Sequence, residues 1–338
     1  MLSLPRKGNY LFYFCDQMTG VVTKSTGSWM QVSENETRKL IDCRIKGKLR
    51  IKEGMLTTNP VAVGDHVVFE FEAGTENSGQ DGKLTGVIKE VLPRKNYIIR
   101  KSVNLSRQAH IIAANMDQAL LFFTMKQPEI PLGFIDRFLI TAEAYQIPVT
   151  ILFNKKDIYS NEEMKIIRAL MHEYEKIGYR CILHSTLTDS PDEIVALLKD
   201  KVTLLSGHSG VGKSSLINSV QPGFELKTNL ISSYHEKGQH TTTFAEMFAL
   251  DFGGWIIDTP GIKGFGLVDM EKEELCHYFP EMRELASQCK FHNCKHINEP
   301  GCAIKKAVEE GKIWENRYIN YLSVYEEDED ETYRGKGY

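Results

Sequence analysis

The sequence reads Gly207-His208-Ser209-Gly210-Val211-Gly212-Lys213-Ser214 directly after a strand pattern at 201–206 and directly before a helical one. This octapeptide fits G-x-x-x-x-G-K-[ST] in its required strand-loop-helix setting. Glycines let such a loop wrap around phosphate groups, so that successive backbone N–H groups point inward. We expect Lys213 to reach the β- and γ-phosphates and the Ser214 hydroxyl to ligate Mg²⁺. The alternative is a glycine-rich turn that matches by chance.

Buried strands alternate with helices around this loop. Apolar runs at 119–124, 149–153, 180–183 and 201–206 are separated by amphipathic segments such as Asn161–Ile177. That alternation predicts a parallel α/β sheet with helices on both faces. We expect two further strands at 244–250 and 255–258, after a long polar loop between Gln221 and Thr243.

A second motif, Asn154-Lys155-Lys156-Asp157, follows the apolar run 149–153. A carboxylate at Asp157 would accept hydrogen bonds from N1–H and the 2-amino group of guanine, whereas adenine offers neither donor there. A site built for such a pair rejects the analogue that lacks it. The motif therefore predicts GTP, not ATP, as the ligand, although Asp157 is also a favoured helix N-cap residue.

Asp258-Thr259-Pro260-Gly261 ends the predicted strand at 255–258. The Asp258 carboxylate can hold Mg²⁺ through water, and the Gly261 N–H can bond the γ-phosphate. Alone this tetrapeptide is also an ordinary turn. Together with the phosphate loop it indicates a nucleotide site.

The loop at 238–243 supplies candidate catalytic groups. We expect Thr242 to complete the Mg²⁺ shell only when the γ-phosphate is present, although threonine runs also favour the start of a strand. Ile262 stands where many GTPases carry a water-orienting glutamine, so intrinsic hydrolysis should be slow. His240 is the candidate substitute, and a solvent-exposed histidine without a catalytic role is the alternative.

The order of these motifs is unusual, because the guanine loop precedes the phosphate loop whereas ordinary GTPases have the reverse order. A parallel sheet does not depend on chain order, since each loop needs only to emerge at the carboxyl edge of the right strand. The sequence therefore predicts a circularly permuted GTPase. The segment after Gly261 runs straight into the C-terminal residues, so γ-phosphate loss can be passed along the chain.

Cys289-x4-Cys294-x-His296-x5-Cys302 supplies three thiolates and one imidazole, a complete tetrahedral set for one Zn²⁺. Four protein ligands leave no open position, so the expected role is structural. His292 in place of His296, or Cys276 in a four-cysteine site, are the alternatives, as are free cysteines with no metal.

The first hundred residues read as short strands separated by glycine turns, at 19–24, 28–33, 40–51, 66–72 and 84–92. Such a pattern suits a small barrel of the oligonucleotide-binding (OB) kind, and equally a sandwich fragment. Basic residues alternate with mostly apolar ones along 43–52, so a strand there would present one basic, RNA-binding face. Those residues are Arg44, Lys46, Lys48, Arg50 and Lys52. A merely solvated face is the alternative. We expect Trp29, Tyr97 and Trp314 to be buried in cores, and stacking on RNA bases is the alternative for each of them.

Composition sets limits on the class of protein. The 338 residues predict two or three domains at roughly 150 residues each, and the longest near-apolar run, 119–125, is too short to span a membrane. Seven cysteines, three of them between 289 and 302, suit a reducing cytoplasm. The net charge of -4 resides in the acidic tail after Tyr325, which we expect to be disordered.

Four segments in this permuted order strongly resemble the ribosome small-subunit-dependent GTPase A family (RsgA, also called YjeQ). They are GHSGVGKSSLIN (207–218), GQHTTT (238–243), DTPGIKGFG (258–266) and CKFHNCKHINEPGCAIKKAVEEGKI (289–313). The resemblance extends upstream through Gly64-Asp65, residues 93–96 and residues 115–118, so it covers nearly the whole chain up to the acidic tail.

The resemblance implies a multidomain chain with an N-terminal OB-fold β-barrel, a permuted α/β P-loop GTPase domain and a C-terminal α-helical zinc-binding domain. We place these at 1–100, 101–268 and 269–325, followed by the tail at 326–338. It also implies a cytoplasmic, monomeric enzyme that binds the 30S subunit and its 16S rRNA. Such an enzyme acts late in subunit maturation and hydrolyses GTP to GDP faster when bound there.

The resemblance also places family roles on single residues. His240 matches the proposed catalytic histidine, acting with Lys213 and Thr242, and Ser214 and Thr242 are the expected Mg²⁺ ligands. The expected zinc ligands are Cys289, Cys294, His296 and Cys302. The expected nucleotide contacts are Asn154, Lys155, Lys156, Asp157, Ser185, Gly207, His208, Ser209, Gly210, Val211, Gly212, Lys213, Ser214, Ser215, Asp258 and Gly261.

Two other functions fit the same motifs. One is a GTP-dependent regulator of a protein partner, with the barrel as a protein-binding module. The other is a non-catalytic RNA binder in which nucleotide is only a conformational ligand.

Overall fold

The computed structural model describes residues 17–45, 59–72, 85–101, 109–223, 245–259 and 271–326. The described residues form, in chain order, a β-barrel, a mainly parallel α/β sheet and a small helical module. The expected fold class is confirmed in all three parts.

The N-terminal barrel consists of β1 (Met18–Ser25), β2 (Trp29–Glu34), β3 (Leu40–Ile45), β4 (His66–Phe71) and β5 (Thr85–Val91). The strand order is β1-β2-β3-β5-β4, and pairing of β1 with β4 closes the barrel. Alternate residues point inward, so that Val32, Cys43 and Phe69 are fully buried in its core. Closure distinguishes this fold from the sandwich that the sequence left open.

Trp29 corrects one expectation. Its side chain lies on the outer face of β2 and is 44% exposed, not buried in a core. Tyr97 and Trp314 are partly buried, against Tyr145 and Tyr174 respectively. The reason is register: Trp29 alternates with the buried Met30, so it must face outward, where it pairs across the ladder with Arg44.

A two-stranded hairpin, β6 (Tyr97–Lys101) and β7 (Ala109–Ala114), joins the barrel to the α/β sheet. The sequence patterns did not predict it. The α/β sheet contains β8 (Gln118–Phe123), β9 (Val149–Phe153), β10 (Arg180–Leu183), β11 (Val202–Ser206), β12 (Glu246–Ala249) and β13 (Trp255–Asp258). Its order is β10-β9-β8-β11-β13-β12, in which β12 is antiparallel and the other five strands are parallel. Strand β12 also pairs with β1 of the barrel, where Lys24 lies opposite Glu246.

The described part of this domain has helices α1 (Leu132–Ala144), α2 (Asn161–Ile177), α3 (Asp192–Leu198) and α4 (Lys213–Val220) beside the sheet. Local signals define α2 at both ends. Ser160 and Glu163 form a reciprocal capping box at its start, and Gly178 ends it in a left-handed conformation. Because these signals are local, the ends of α2 could be predicted from the sequence.

The segments at 64–65, 93–96 and 115–118 form the junction between the barrel and the sheet. Arg94 makes two hydrogen bonds of 2.7 Å to the buried carboxylate of Asp65. The Asn96 amide pairs with the backbone of Met116, with both bonds at 2.9 Å. Gly64 has φ +87°, and a Cβ there would lie 2.1 Å from the Ala114 carbonyl oxygen. These residues hold the barrel against the sheet.

The C-terminal module contains a 3-10 helix (Lys272–Tyr278) and helices α5 (Pro280–Ala286), α6 (Ala303–Glu309) and α7 (Glu315–Glu326). Its own core includes Phe279, Met282, Ile304 and Tyr321. Arg317 of α7 is fully buried between Asp136 of α1 and Glu281 of α5, with bonds of 2.7 Å to each. This ion cluster fixes the module on the α/β domain. Among the described residues, no helix is long and apolar enough to cross a membrane.

Candidate nucleotide and metal sites

The nucleotide-site loops emerge from one edge of the sheet. The phosphate loop follows β11, the guanine loop follows β9, and Ser185 follows β10. Asp258 ends β13, which is parallel to β11, and pairs in register with Leu205. Because carboxyl ends of parallel strands share an edge, the reversed chain order does not separate these loops.

The phosphate loop is arranged around Lys213. Its ammonium group donates to the carbonyl oxygens of Gly207 at 2.6 Å and His208 at 2.9 Å. Burial lowers the pKa of Lys213, and the nearby Asp258 carboxylate acts in the opposite direction. Ser214, one residue further on, is exposed in the first turn of α4. An ammonium group and a hydroxyl thus lie at the start of a helix, where the backbone favours anions.

A direct hydrogen bond joins the guanine loop to the phosphate loop. The Asn154 side-chain amide donates to the Val211 carbonyl oxygen at 2.8 Å, and the Asn154 oxygen accepts from the Thr186 N–H at 3.2 Å. Asn154 is fully buried. At Gly212, φ is +105° and a Cβ would lie 2.3 Å from the Asn154 amide nitrogen. The two loops therefore meet closely enough to contact one nucleotide.

The Asp157 carboxylate is exposed and held from one side. Ser185 donates its hydroxyl to Asp157 Oδ1, while the Ser185 oxygen accepts the N–H groups of Leu187 and Thr188 at 3.3 Å each. Since Ser185 accepts from two amides, its proton is directed at Asp157. The remaining lone pairs of the carboxylate are available to donors on a base.

The metal-binding candidates form one cluster. One ligand atom from each of Cys289, Cys294, His296 and Cys302 lies within 4.8 Å of all the others. The Nδ1 atom of His296 is 3.5 Å from Cys289 Sγ and 3.4 Å from Cys302 Sγ. Zn–S and Zn–N bonds at the tetrahedral angle would separate S and N by roughly 3.6 Å. The four residues therefore fit a tetrahedral metal ion.

Neighbouring groups fix this cluster. Backbone N–H groups of Ala303 and Lys305 lie 3.3 Å and 3.5 Å from the sulfurs of Cys289 and Cys302. The Tyr318 hydroxyl donates to the His296 carbonyl oxygen at 2.6 Å. Burial raises the pKa of Cys294 to about 12, so a thiolate there requires a cation beside it. His292 and Cys276 are not members of this cluster. The geometry therefore favours the ligand set with His296 over the alternatives with His292 or Cys276.

Comparison with known proteins gives the family. A family model described as RsgA GTPase matches residues 91–268, which is more than half of the chain, and one described as RsgA N-terminal domain matches residues 19–79. The chain belongs to the RsgA GTPase family. The resemblance found in the sequence motifs is thereby confirmed.

Named RsgA relatives are similar over nearly their whole length. The chain is 54% identical over 318 residues to a Bacteroides fragilis protein named small ribosomal subunit biogenesis GTPase RsgA, covering 94% of this chain and 99% of the relative. It is also 54% identical over 314 residues to the RsgA protein of Christiangramia forsetii, covering 93% and 97%.

Solved structures support the fold. YjeQ from Thermotoga maritima matches with a TM-score of 0.71 and 34% identity, covering 91% of this chain and 97% of that one. YloQ, described as a circularly permuted GTPase, matches with a TM-score of 0.69 and 32% identity, covering 96% and 99%. This RsgA-family chain has the same permuted order, with the guanine loop before the phosphate loop.

Several expected site residues of this RsgA-family chain lie outside the described residues. They are His240, Thr242, Gly261, Lys46, Lys48, Arg50 and Lys52. Arg44 is the described member of the basic set, and its side chain is 47% exposed and forms an ion pair with Glu72. Lys155, in a left-handed conformation with φ +65°, donates to the Gln127 carbonyl oxygen from its ammonium group.

One residue of the candidate nucleotide site, Asp189, was not predicted from the sequence, and its carboxylate contacts Lys156 and Ser185. Ser185-Thr186 lies where the family resemblance places a guanine contact through backbone N–H, and the Thr186 N–H donates to Asn154 in this structure. Asp189 lies in the polar segment Ser185-Thr186-Leu187-Thr188-Asp189, which reads as an ordinary turn. Only the folded arrangement of β9 and β10 side by side brings it to the guanine loop.

Proposed function

We propose that this chain binds GTP, hydrolyses it to GDP and phosphate on the small ribosomal subunit, and acts in the late maturation of that subunit. The observation that carries the proposal is the 2.8 Å hydrogen bond from Asn154 to Val211. It joins a base-reading loop to a phosphate-binding loop, so that one guanosine nucleotide can contact both. The names of the relatives supply the ribosomal subunit as the partner.

The phosphate groups would lie in the loop 207–215, where Lys213 exchanges its two carbonyl contacts for phosphate oxygens. Ser214 and Asp258, with Thr242, are the residues that would hold Mg²⁺. Bound Mg²⁺ supplies positive charge that stabilises the transferring phosphoryl group. His240 is the proposed group that orients the attacking water, and contact with rRNA would order its loop.

The barrel and the helical module would dock the enzyme on 16S rRNA. The basic residues at 44–52 would contact phosphates, and the Cys/His cluster would hold one structural Zn²⁺. In this proposal the enzyme is a cytoplasmic monomer, and its domain boundaries lie after residues 100, 268 and 325.

Turnover of GTP with and without purified 30S subunits tests the proposal. We expect slow hydrolysis by the free protein and strong stimulation by 30S subunits that declines steeply with salt. The Lys213→Ala variant is the matched control for contaminating GTPases, and 50S subunits control for nonspecific stimulation. Equal rates with and without 30S subunits would contradict the proposal.

A further inference from the structure

The carboxylate of Asp189 connects the loop after β9 with the loop after β10. Its Oδ2 atom accepts the Ser185 N–H at 2.9 Å and the Lys156 ammonium group at 2.7 Å. Lys156 belongs to the guanine loop, whereas Ser185 follows β10. This oxygen atom therefore bridges the two loops beyond the last strand pair at Leu183, beside the backbone hydrogen bond from the Lys156 N–H to the His184 carbonyl oxygen at 3.3 Å.

A third donor, His184, approaches the same oxygen atom. Its Nδ1 lies 3.4 Å from Asp189 Oδ2, and the residue is 3% exposed. Burial lowers the pKa of His184, so the ring is neutral near pH 7. Its Nε2 has no hydrogen-bond partner among the described residues, so a proton is better placed on Nδ1, facing the carboxylate.

The Asp189 carboxyl is held ionised in this position. Burial raises its pKa, but the hydrogen bonds from Lys156 and the Ser185 amide outweigh that effect and lower the pKa overall. An ionised carboxylate keeps the attraction for Lys156 that a neutral group would lose.

These contacts lead directly to Asp157. Ser185 donates its backbone N–H to Asp189 and its hydroxyl to Asp157, while Lys156 is the residue immediately before Asp157. Asp157 is thus held by the Ser185 hydroxyl through a hydrogen bond and by Lys156 through the backbone, and Asp189 anchors both of these residues. A shift of either group would rotate the carboxylate away from the two adjacent donors on a guanine edge.

We propose that Asp189 is a positioning residue that sets the guanine specificity of this site by aligning Asp157 through Lys156 and Ser185. The inference rests on the proposed binding of guanine nucleotides. Hypoxanthine keeps N1–H but lacks the 2-amino group. The ratio of affinities for GDP and IDP therefore reports the hydrogen bond from the 2-amino group to Asp157, which depends on the alignment of that carboxylate.

The test measures dissociation constants of the full-length protein for GDP, IDP and ADP by calorimetry. Asp189→Ala should weaken GDP more than IDP, so that the GDP preference shrinks about threefold or more, the scale of coupling within one hydrogen-bond network. Lys156→Met should reduce the preference for GDP over IDP by a similar factor. The double variant should reduce this preference little further, because both residues act in the same network. Asp192→Ala is the matched control, because its described hydrogen bonds are only to Ser190 nearby.

The outcomes separate the two proposals. A wild type that prefers GDP over IDP, together with an Asp189→Ala variant that keeps that preference, would overturn the positioning role alone. If Asp189→Ala does not fold, an unchanged preference in Lys156→Met would overturn it instead. A wild type that binds GDP, IDP and ADP equally would overturn the guanine site and, with it, this inference.

Discussion

The Nη1 atom of Arg317 lies 2.7 Å from Oδ1 of Asp136, and both side chains are fully buried. Arg317 comes from the C-terminal module and Asp136 from α1 of the α/β domain. Tyr174 also donates to Asp136 Oδ1 at 3.1 Å, and Glu281 accepts from the other side of the guanidinium. The contact between the two domains therefore includes a largely buried ion cluster, in which the Glu281 side chain is 10% exposed.

Breaking this cluster should destabilise the protein strongly. We expect Arg317→Met to lower the free energy of unfolding by about 3–5 kcal/mol, because it leaves buried carboxylates without their cation. Asp136→Asn alone should also destabilise. The double variant should cost less than the sum of the two, and urea unfolding of all four proteins measures the difference. Strictly additive effects would show that the two residues do not interact as described.

Close packing between the two nucleotide loops predicts a steric effect at Gly212. A Cβ there would push the Asn154 amide away from Val211. We expect Gly212→Ala to weaken GDP binding about tenfold or more, because overpacking of this kind costs about 1–3 kcal/mol. Calorimetric titration with GDP measures the change.

Gly178→Ala is a matched control for this experiment. Gly178 has the same φ of +105°, but a Cβ there would have no neighbour within 4 Å. The Gly178→Ala variant should therefore lose only the strain energy of a left-handed alanine, about 1–2 kcal/mol of stability, and its GDP affinity should be unchanged. A similar loss of GDP affinity in both variants would mean that backbone strain, not contact with Asn154, is responsible.

Exchange of the Asp157 carboxylate for an amide should change the base that is bound. An amide offers one donor and one acceptor, which matches N1–H and O2 of xanthine and leaves the 2-amino group of guanine unsatisfied. We expect Asp157→Asn to lose at least about a hundredfold in GDP affinity and to gain XDP binding. The gain makes the test independent of misfolding, and a variant that still prefers GDP would contradict the assigned role.

Features of the fold that are determined by neighbouring residues could be predicted from the sequence, whereas long-range contacts could not. Strands at 149–153, 180–183 and 255–258 and the helix Asn161–Ile177 have the predicted bounds, because apolar runs and capping residues mark them locally. Arg317 gives no such signal, since a single arginine in a helical pattern reads as a solvated residue. Its partner Asp136 is 181 residues away, and only tertiary packing brings the two together.

Metal binding should distinguish the three ligand sets that the sequence left open. We expect one zinc ion per chain in the wild type, and its loss in Cys289→Ala and His296→Ala, with a lower unfolding temperature. His292→Ala and Cys276→Ala are the controls and should retain the ion. Elemental analysis of the purified variants measures this, and loss of zinc in His292→Ala but not in His296→Ala would reverse the assignment.

Stability should depend on pH through His184. Burial lowers the pKa of this histidine in the folded protein, whereas in the unfolded chain it titrates near its ordinary value of about 6.5. As the pH falls below that value, the unfolded chain takes up a proton that the folded protein does not. The free energy of unfolding should then fall by up to about 1.4 kcal/mol per pH unit, until the folded-state pKa is reached.

Urea unfolding between pH 7.5 and 5.5, values on either side of about 6.5, should show this loss of stability in the wild type and in the control His172→Asn, whose histidine is exposed. The loss should be smaller in His184→Asn, where the remainder comes from His296, whose pKa burial also lowers. Parallel curves for all three proteins would exclude His184 as a cause.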